Sequence, residues 1–313
     1  MSIIEQAARR LEALHRAGIE VPWEAAGLDA RDAAARVTRG APPDAAAAMD
    51  APTAAQAAAD DWGPRPPGET AVMVNAPVAL DLSRLAQSGY LVPESGGGAA
   101  SARGQAALAQ DFRRAKRALL DRVRESAAAR PGSGTLVVVT SAVEGEGRTT
   151  CAINLALSLA LEVDTSVLLV EADVQRPQVL ERLGVAGGPG LTDLLSDPQL
   201  PLAQAILPTS LPALSLLPAG APDARSHELF AGPGMRRRVA QLIGHRPDRL
   251  VIMDAPALLR SADAGALAAL ATQVVVVVAA QRTPRPLVQQ AFAALEGGPP
   301  AVALLNHLPA GAG

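Results

Sequence analysis

Short apolar runs rich in β-branched residues recur through the second half of the chain, at residues 136–139, 167–170, 214–217, 250–253, 273–278 and 301–305. Those at 136–139, 167–170 and 250–253 read as strands covered on both faces, the habit of parallel sheets. Between them lie helical stretches: an apolar one following residue 147, a short one within 174–183, one opening at Leu191, and one over 226–243 broken at Gly232-Pro233-Gly234. A last helix starts with proline after Arg285. Strand and helix in alternation predict an α/β domain with a mostly parallel sheet of about five to seven strands flanked by helices.

The first third has a different texture. Ile3, Ile4, Ala7, Leu11 and Leu14 fall at helical spacing among charges, so residues 1–30 are expected to carry an amphipathic helix. Residues 31–104 read as an Ala/Pro/Gly-rich linker: 31–77 lacks periodicity, 82–93 closes in a turn, and 95–104 is a Gly/Ala/Ser tether. The main domain is then expected over 105–313, opening with a helix at 105–129 that sets Leu108, Phe112, Ala115, Leu119 and Val123 on one face and Arg113, Arg114, Lys116 and Arg117 around it.

Composition narrows the classes. Hydrophobic residues make up 49% of the 313 but aromatics only 2%, so alanine inflates the apparent core-forming power of the N-terminal third. A net charge of −3 gives no reason to expect nucleic acid as a partner. Cys151 is the single cysteine, which excludes an internal disulfide and fits a reducing compartment, and its place in the first turn after the loop suggests a packing residue. No apolar leader opens the sequence and no stretch is long enough to span a bilayer, so a cytoplasmic protein is expected, peripheral at the inner membrane only through a partner. His15, His227, His245 and His307 show no metal-ligand spacing.

The chemistry concentrates after the strand at 136–139, where the sequence runs TSAVEGEGRTT. Gly145 and Gly147 let the backbone turn its amides toward phosphate oxygens, and the helix that follows adds its positive end. Thr149 stands where a Walker A loop puts the hydroxyl that ligates Mg²⁺. The match to that pattern departs twice: Ala142 replaces the first glycine and Arg148 replaces the lysine. The strand at 167–170 ends in Glu171 and Asp173, and the strand at 250–253 ends in Asp254. Since ligands of open α/β sheets sit beyond the C-terminal strand ends, Thr149, Asp173 and Asp254 are expected to converge on a nucleotide–Mg²⁺ site.

In that order, TSAVEGEGRTT, LLVEADVQRP, LSLLPAG, LVIMDAP, VVVVVAAQRTPRP and ALLN resemble the bacterial tyrosine autokinases of exopolysaccharide synthesis, most of all the branch associated with exosortase (PEP-CTERM) loci. The likeness spans about residues 80–306, and the opening MSIIEQAARRLE and GIEVP also look like that branch. It implies a P-loop NTPase fold, ATP and Mg²⁺ as cofactors, homo-oligomers, and a membrane-embedded polysaccharide chain-length determinant of the Wzz kind as partner. Carried over residue by residue, it implies that Gly145, Glu146, Gly147, Arg148, Thr149 and Thr150 hold the nucleotide and that Asn306 lies near the adenine. It implies further that Thr149, Asp173 and Asp254 serve the metal, and that Asp173, with Glu171 where the family has its first aspartate, serves the incoming tyrosine hydroxyl.

The departures pull two ways. Arg148 keeps the charge in a site shaped for a compact ammonium, Glu144 stands where the family loop carries proline, and no tyrosine cluster closes the sequence. Tyr90 is the only tyrosine, so autophosphorylation of a tail is not expected. Either the chain is a tyrosine kinase acting in trans, or it is a nucleotide-gated regulatory subunit. A partition-type ATPase is less expected, because Val143 stands where that class has a second lysine.

Overall fold

The computed structural model describes residues 75–92, 99–128, 135–244 and 248–307. The helix expected within 1–30 and the linker over 31–74 lie outside them. In chain order the elements are α1 (Leu82–Gln87), α2 (Ala99–Ala128), β1 (Thr135–Ser141), α3 (Arg148–Leu159), β2 (Ser166–Glu171), α4 (Val179–Leu183), α5 (Leu191–Ser196) and α6 (Leu202–Ala205). They continue with β3 (Leu207–Pro208), β4 (Leu214–Leu217), α7 (Ser226–Ala231), α8 (Pro233–Ile243), β5 (Arg249–Asp254), α9 (Ala262–Ala268), β6 (Gln273–Ala279), α10 (Arg285–Ala293) and β7 (Ala301–Asn306).

The seven strands form one sheet in the order β3-β4-β2-β5-β1-β6-β7. Every neighbouring pair is parallel except β3 with β4. The uninterrupted apolar runs have a direct cause: alternate residues serve opposite cores. Leu136 and Val138 of β1, Val251 and Met253 of β5, and Val274 and Val276 of β6 pack with Phe230, Met235 and Leu242 on one face. Their neighbours Val137, Val139, Leu250, Ile252, Val275 and Val277 pack with α3 and with Leu119 and Val123 of α2 on the other. A polar residue at any of these positions would be buried without a partner, which is why none occurs.

Two expectations about the chain before β1 are corrected. Residues 75–92 do not behave as linker: Leu80, Leu85, Tyr90 and Leu91 are buried in the α3-side core, Val78 bridges Thr209 beside β3, and the Asn75 amide donates to the carbonyls of Ala203, Gln204 and Ile206. The segment hides its apolar residues through long-range contacts, so no local period announces them. Likewise α2 starts at Ala99 rather than at residue 105, because Ala99, Ala100, Ala102 and Arg103 are strong helix formers that offset Gly104.

Arg238 departs from the solvated role its neighbours suggest. Arg236 and Arg237 are exposed, but Arg238 is buried and donates to the carbonyls of Leu194, Asp197, Pro198 and Leu200, gathering the turn that leaves α5.

Candidate functional site: a glycine loop facing three strand-end acids

The loop between β1 and α3 emerges at the C-terminal edge of the sheet, and the chain after β5 pins its base. Ala255 N donates to Val139 O at 2.9 Å, Leu258 N to Ser141 O at 2.9 Å and Leu259 N to Ala142 O at 3.2 Å. Within the loop only Gly145 and Gly147 take positive φ, +80° and +85°. Ala142 is fully buried and outside that region, so an alanine costs nothing where the Walker pattern has its first glycine. A substitution at Gly147 is strained by its positive φ, and a Cβ there would lie 2.2 Å from Asn306 Nδ2 and displace that side chain from the Glu146 carbonyl. As N-cap of α3 it contributes no side-chain bond, so the first amides of the helix remain available to an anionic ligand.

Glu146 holds the loop rather than facing a ligand. It is 2% exposed; one oxygen accepts from Val143 N at 2.8 Å, the other from Ala279 N at 3.3 Å and from the Thr283 hydroxyl. Asn306, at the end of β7, donates to the Glu146 carbonyl at 2.9 Å. Glu146 and Asn306 together clamp the loop against the ends of β6 and β7. The Thr150 hydroxyl is also engaged, accepting from Arg182 Nη1 at 3.1 Å, and the same nitrogen donates to the Tyr90 hydroxyl at 3.2 Å. Arg182 thus ties α3 to α4 and to the segment before α2. That segment holds α3 a second time, through Leu91 N donating to the buried Asn154 side chain at 2.7 Å. No sequence signal marks Arg182, since a helical arginine is ordinarily solvated.

The strand ends bring the expected carboxylates together. Asp254 pairs in register with Val139 on one side and Glu171 on the other, and Asp173 follows two residues after Glu171. Arg148 joins them: its Nη2 is ion-paired with Asp173 Oδ2 and its Nε lies 3.8 Å from Asp254 Oδ1. Among the described residues these last two atoms, Arg148 Nε and Asp254 Oδ1, are buried without a hydrogen-bond partner. Burial pushes the Asp254 carboxyl up from 3.8 to about 7, against the opposing pull of Arg148 and of a hydrogen bond from Thr149. Burial also raises Asp173, with Arg148 opposing. Glu171 is raised by burial and is turned to the backbone, where it accepts from Val179 N. Its extra methylene reaches the first residue of α4. At the rim, Glu144 pairs with Arg176, whose guanidinium holds the Glu144 carboxyl below its usual range.

The donor set fits a nucleotide with a hard cation. Two glycine turns and uncapped amides suit phosphate. A threonine hydroxyl beside aspartates, one with an orphaned buried oxygen, offers the all-oxygen ligands that Mg²⁺ takes. Cys151 plays no part in this chemistry: its thiol is buried and pushed up to about 12, so it packs and stays protonated.

No family model matches the chain. Over 159 residues it is 30% identical to the tyrosine-protein kinase YwqD of Bacillus subtilis, covering 51% of this chain and 65% of YwqD. Over 164 residues it is 31% identical to the succinoglycan biosynthesis transport protein ExoP of Rhizobium meliloti, covering 49% of this chain but 20% of ExoP. The match thus spans less than two thirds of either relative. The crystal structure of the VpsO kinase domain superposes with a TM-score of 0.51 at 32% identity, over 56% of this chain and 86% of that domain. The chain belongs to the bacterial tyrosine-kinase family. The kinase domain of the Escherichia coli tyrosine kinase ETK shares the fold, with a TM-score of 0.53 at 23% identity over 57% of this chain and 70% of that domain. Like these tyrosine-kinase domains, the chain is a P-loop α/β protein, and among the described residues no helix is long and apolar enough to cross a membrane.

Proposed function

We propose that this bacterial tyrosine-kinase family member binds ATP with Mg²⁺ at the β1–α3 loop, transfers the γ-phosphoryl group to tyrosines of other proteins, and thereby regulates exopolysaccharide synthesis, chain length or export together with a Wzz-like membrane partner. The observation that carries the reading is that Thr149 bonds Asp254 and Arg148 reaches both Asp173 and Asp254 from the uncapped start of α3, at the ends of β2 and β5. Mg·ATP would supply the phosphoryl group and much of the charge neutralisation its transfer needs. The chain's own tasks are positioning and proton management. Amides of residues 147–150 would bind phosphate oxygens, Thr149 and Asp254 would hold the cation, and Asp173 would take the proton from the tyrosine hydroxyl as its oxygen bonds to the γ-phosphorus and the bond from that phosphorus to the departing ADP breaks. Tyr90 is no acceptor, being 4% exposed and held by Arg182. The exosortase-locus branch, homo-oligomers and a peripheral place at the cytoplasmic membrane face belong to the same reading.

A second reading, a nucleotide-gated regulator with little transfer, is favoured by one observation: Arg148 is spent on Asp173, the group the mechanism asks to act as base. The two readings separate in one assay. With labelled ATP and a tyrosine-bearing protein acceptor, wild type is expected to form phosphotyrosine, and Arg148→Lys to form it roughly tenfold or more faster, since a point charge cannot bracket Asp173 as a guanidinium does. Transfer by neither form, with ATP still bound, would leave the regulator.

A further inference from the structure

We propose that Arg148 is a built-in cation that competes with the divalent metal for Asp173 and Asp254, so that this site takes metal only when a nucleotide polyphosphate draws the guanidinium away. The proposal rests on the nucleotide-binding reading above and concerns the order in which that site fills.

Three observations carry it. Asp173 and Asp254 are 5% and 1% exposed, so their mutual repulsion is poorly screened and a cation between them is required when both are ionised. Arg148, itself largely buried, supplies that charge in ion-pair contact with Asp173. The bracket is lopsided, however. On the Asp254 side Nε and Oδ1 stand 3.8 Å apart, too far to bond, and neither has another hydrogen-bond partner among the described residues.

A lysine at this position would put its charge on one mobile point at the end of a flexible stem. A guanidinium spreads five donors over a plane and can address two carboxylates at once. The loop therefore carries the residue type suited to stand in for a metal between two acids. A divalent ion entering the same space meets a fixed positive charge and finds Asp173 already taken, leaving Thr149 and one oxygen of Asp254. Phosphate oxygens are the competing partner that releases the site, because a guanidinium pairs with phosphate as readily as with carboxylate. Amides at the α3 N-terminus bring such a phosphate within reach of Arg148.

The test reads metal binding directly, without nucleotide and without activity. Free Mn²⁺ is followed by electron paramagnetic resonance as it is titrated into the full chain, wild type against Arg148→Gln and Arg148→Lys, each first checked for a cooperative melt. Arg148→Gln is expected to bind one Mn²⁺ at least about tenfold more tightly than wild type, and Asp254→Asn added to it removes the gain. Arg148→Lys, which keeps the charge and thereby the fold, is expected to fall between them. Adding ADP restores tight Mn²⁺ binding to wild type. Equal Mn²⁺ affinity in wild type and in the variants that fold, or a gain that survives Asp254→Asn, overturns the competition. A gain in the variants with no ADP bound by any form supports the competition and sinks the nucleotide reading. ADP bound by wild type, with Mn²⁺ affinity unmoved by the variants, does the reverse.

Discussion

Asp254→Asn stabilises the nucleotide-free protein at pH 8 and leaves it unchanged near pH 4. The Asp254 carboxyl is raised from 3.8 to about 7 in the folded chain, chiefly by burial. The folded state therefore holds a proton that the unfolded chain releases between those values, and stability falls as pH rises through that window. Above about pH 7 the carboxylate is ionised in the core at a cost of roughly 4 kcal/mol, the full shift at about 1.4 kcal/mol per unit. Asparagine removes the titration and keeps the shape. Asp173 is raised too and repels the ionised Asp254, so the relief of that repulsion in the asparagine variant is part of the gap at high pH. Urea denaturation of both forms at pH 4.5, 6 and 8 should show the gap opening with pH. Parallel slopes would mean that Asp254 is ionised throughout, with Arg148 compensating it in full.

Glu146→Ala is expected to do the opposite, costing stability and ligand affinity together. Its carboxylate is the acceptor for Val143 N, Ala279 N and the Thr283 hydroxyl. Its loss strands two backbone donors at about 1–3 kcal/mol each, so a loss of roughly 2–6 kcal/mol is expected. The same change frees the loop from the end of β6. Loosening amides that must converge on phosphate should weaken ATP binding by tenfold or more. A loss under about 0.5 kcal/mol in denaturant melts would show that water replaces the carboxylate without penalty, and the clamp would not be what shapes the loop.

These two residues mark the boundary of what the sequence made legible. Asp254 could be found in advance, because an acid at the end of an uninterrupted apolar strand has one place to be in a parallel sheet. Thr149 could be found by its place in the loop pattern and Asp173 by its place just after β2, and the apolar, β-branched runs of β1, β2, β5 and β6 read as buried strands. Glu146 was expected on the nucleotide because it sits in the loop, yet its acceptor role depends on Thr283, 137 residues away. Arg182, Arg238 and the packing of residues 75–92 were hidden for the same reason: each is defined by partners distant in the chain. The two-residue β3, paired antiparallel to β4, is too short for any period. Arg148 was legible as a departure but not in its consequence, since only the fold shows which acids its planar head meets.

Whether the β1–α3 loop binds a nucleotide decides between a working site and a bare fold. Calorimetric titration of ATP with Mg²⁺ into wild type and Gly147→Val decides it. A β-branched valine at φ +85° is strained, and its Cβ displaces Asn306 from the loop. The prediction is one ATP bound per chain by wild type and none by the variant, with both proteins melting cooperatively. Heat of binding that is absent in wild type, or unchanged by the valine, would contradict a nucleotide site at the ends of β1, β2 and β5.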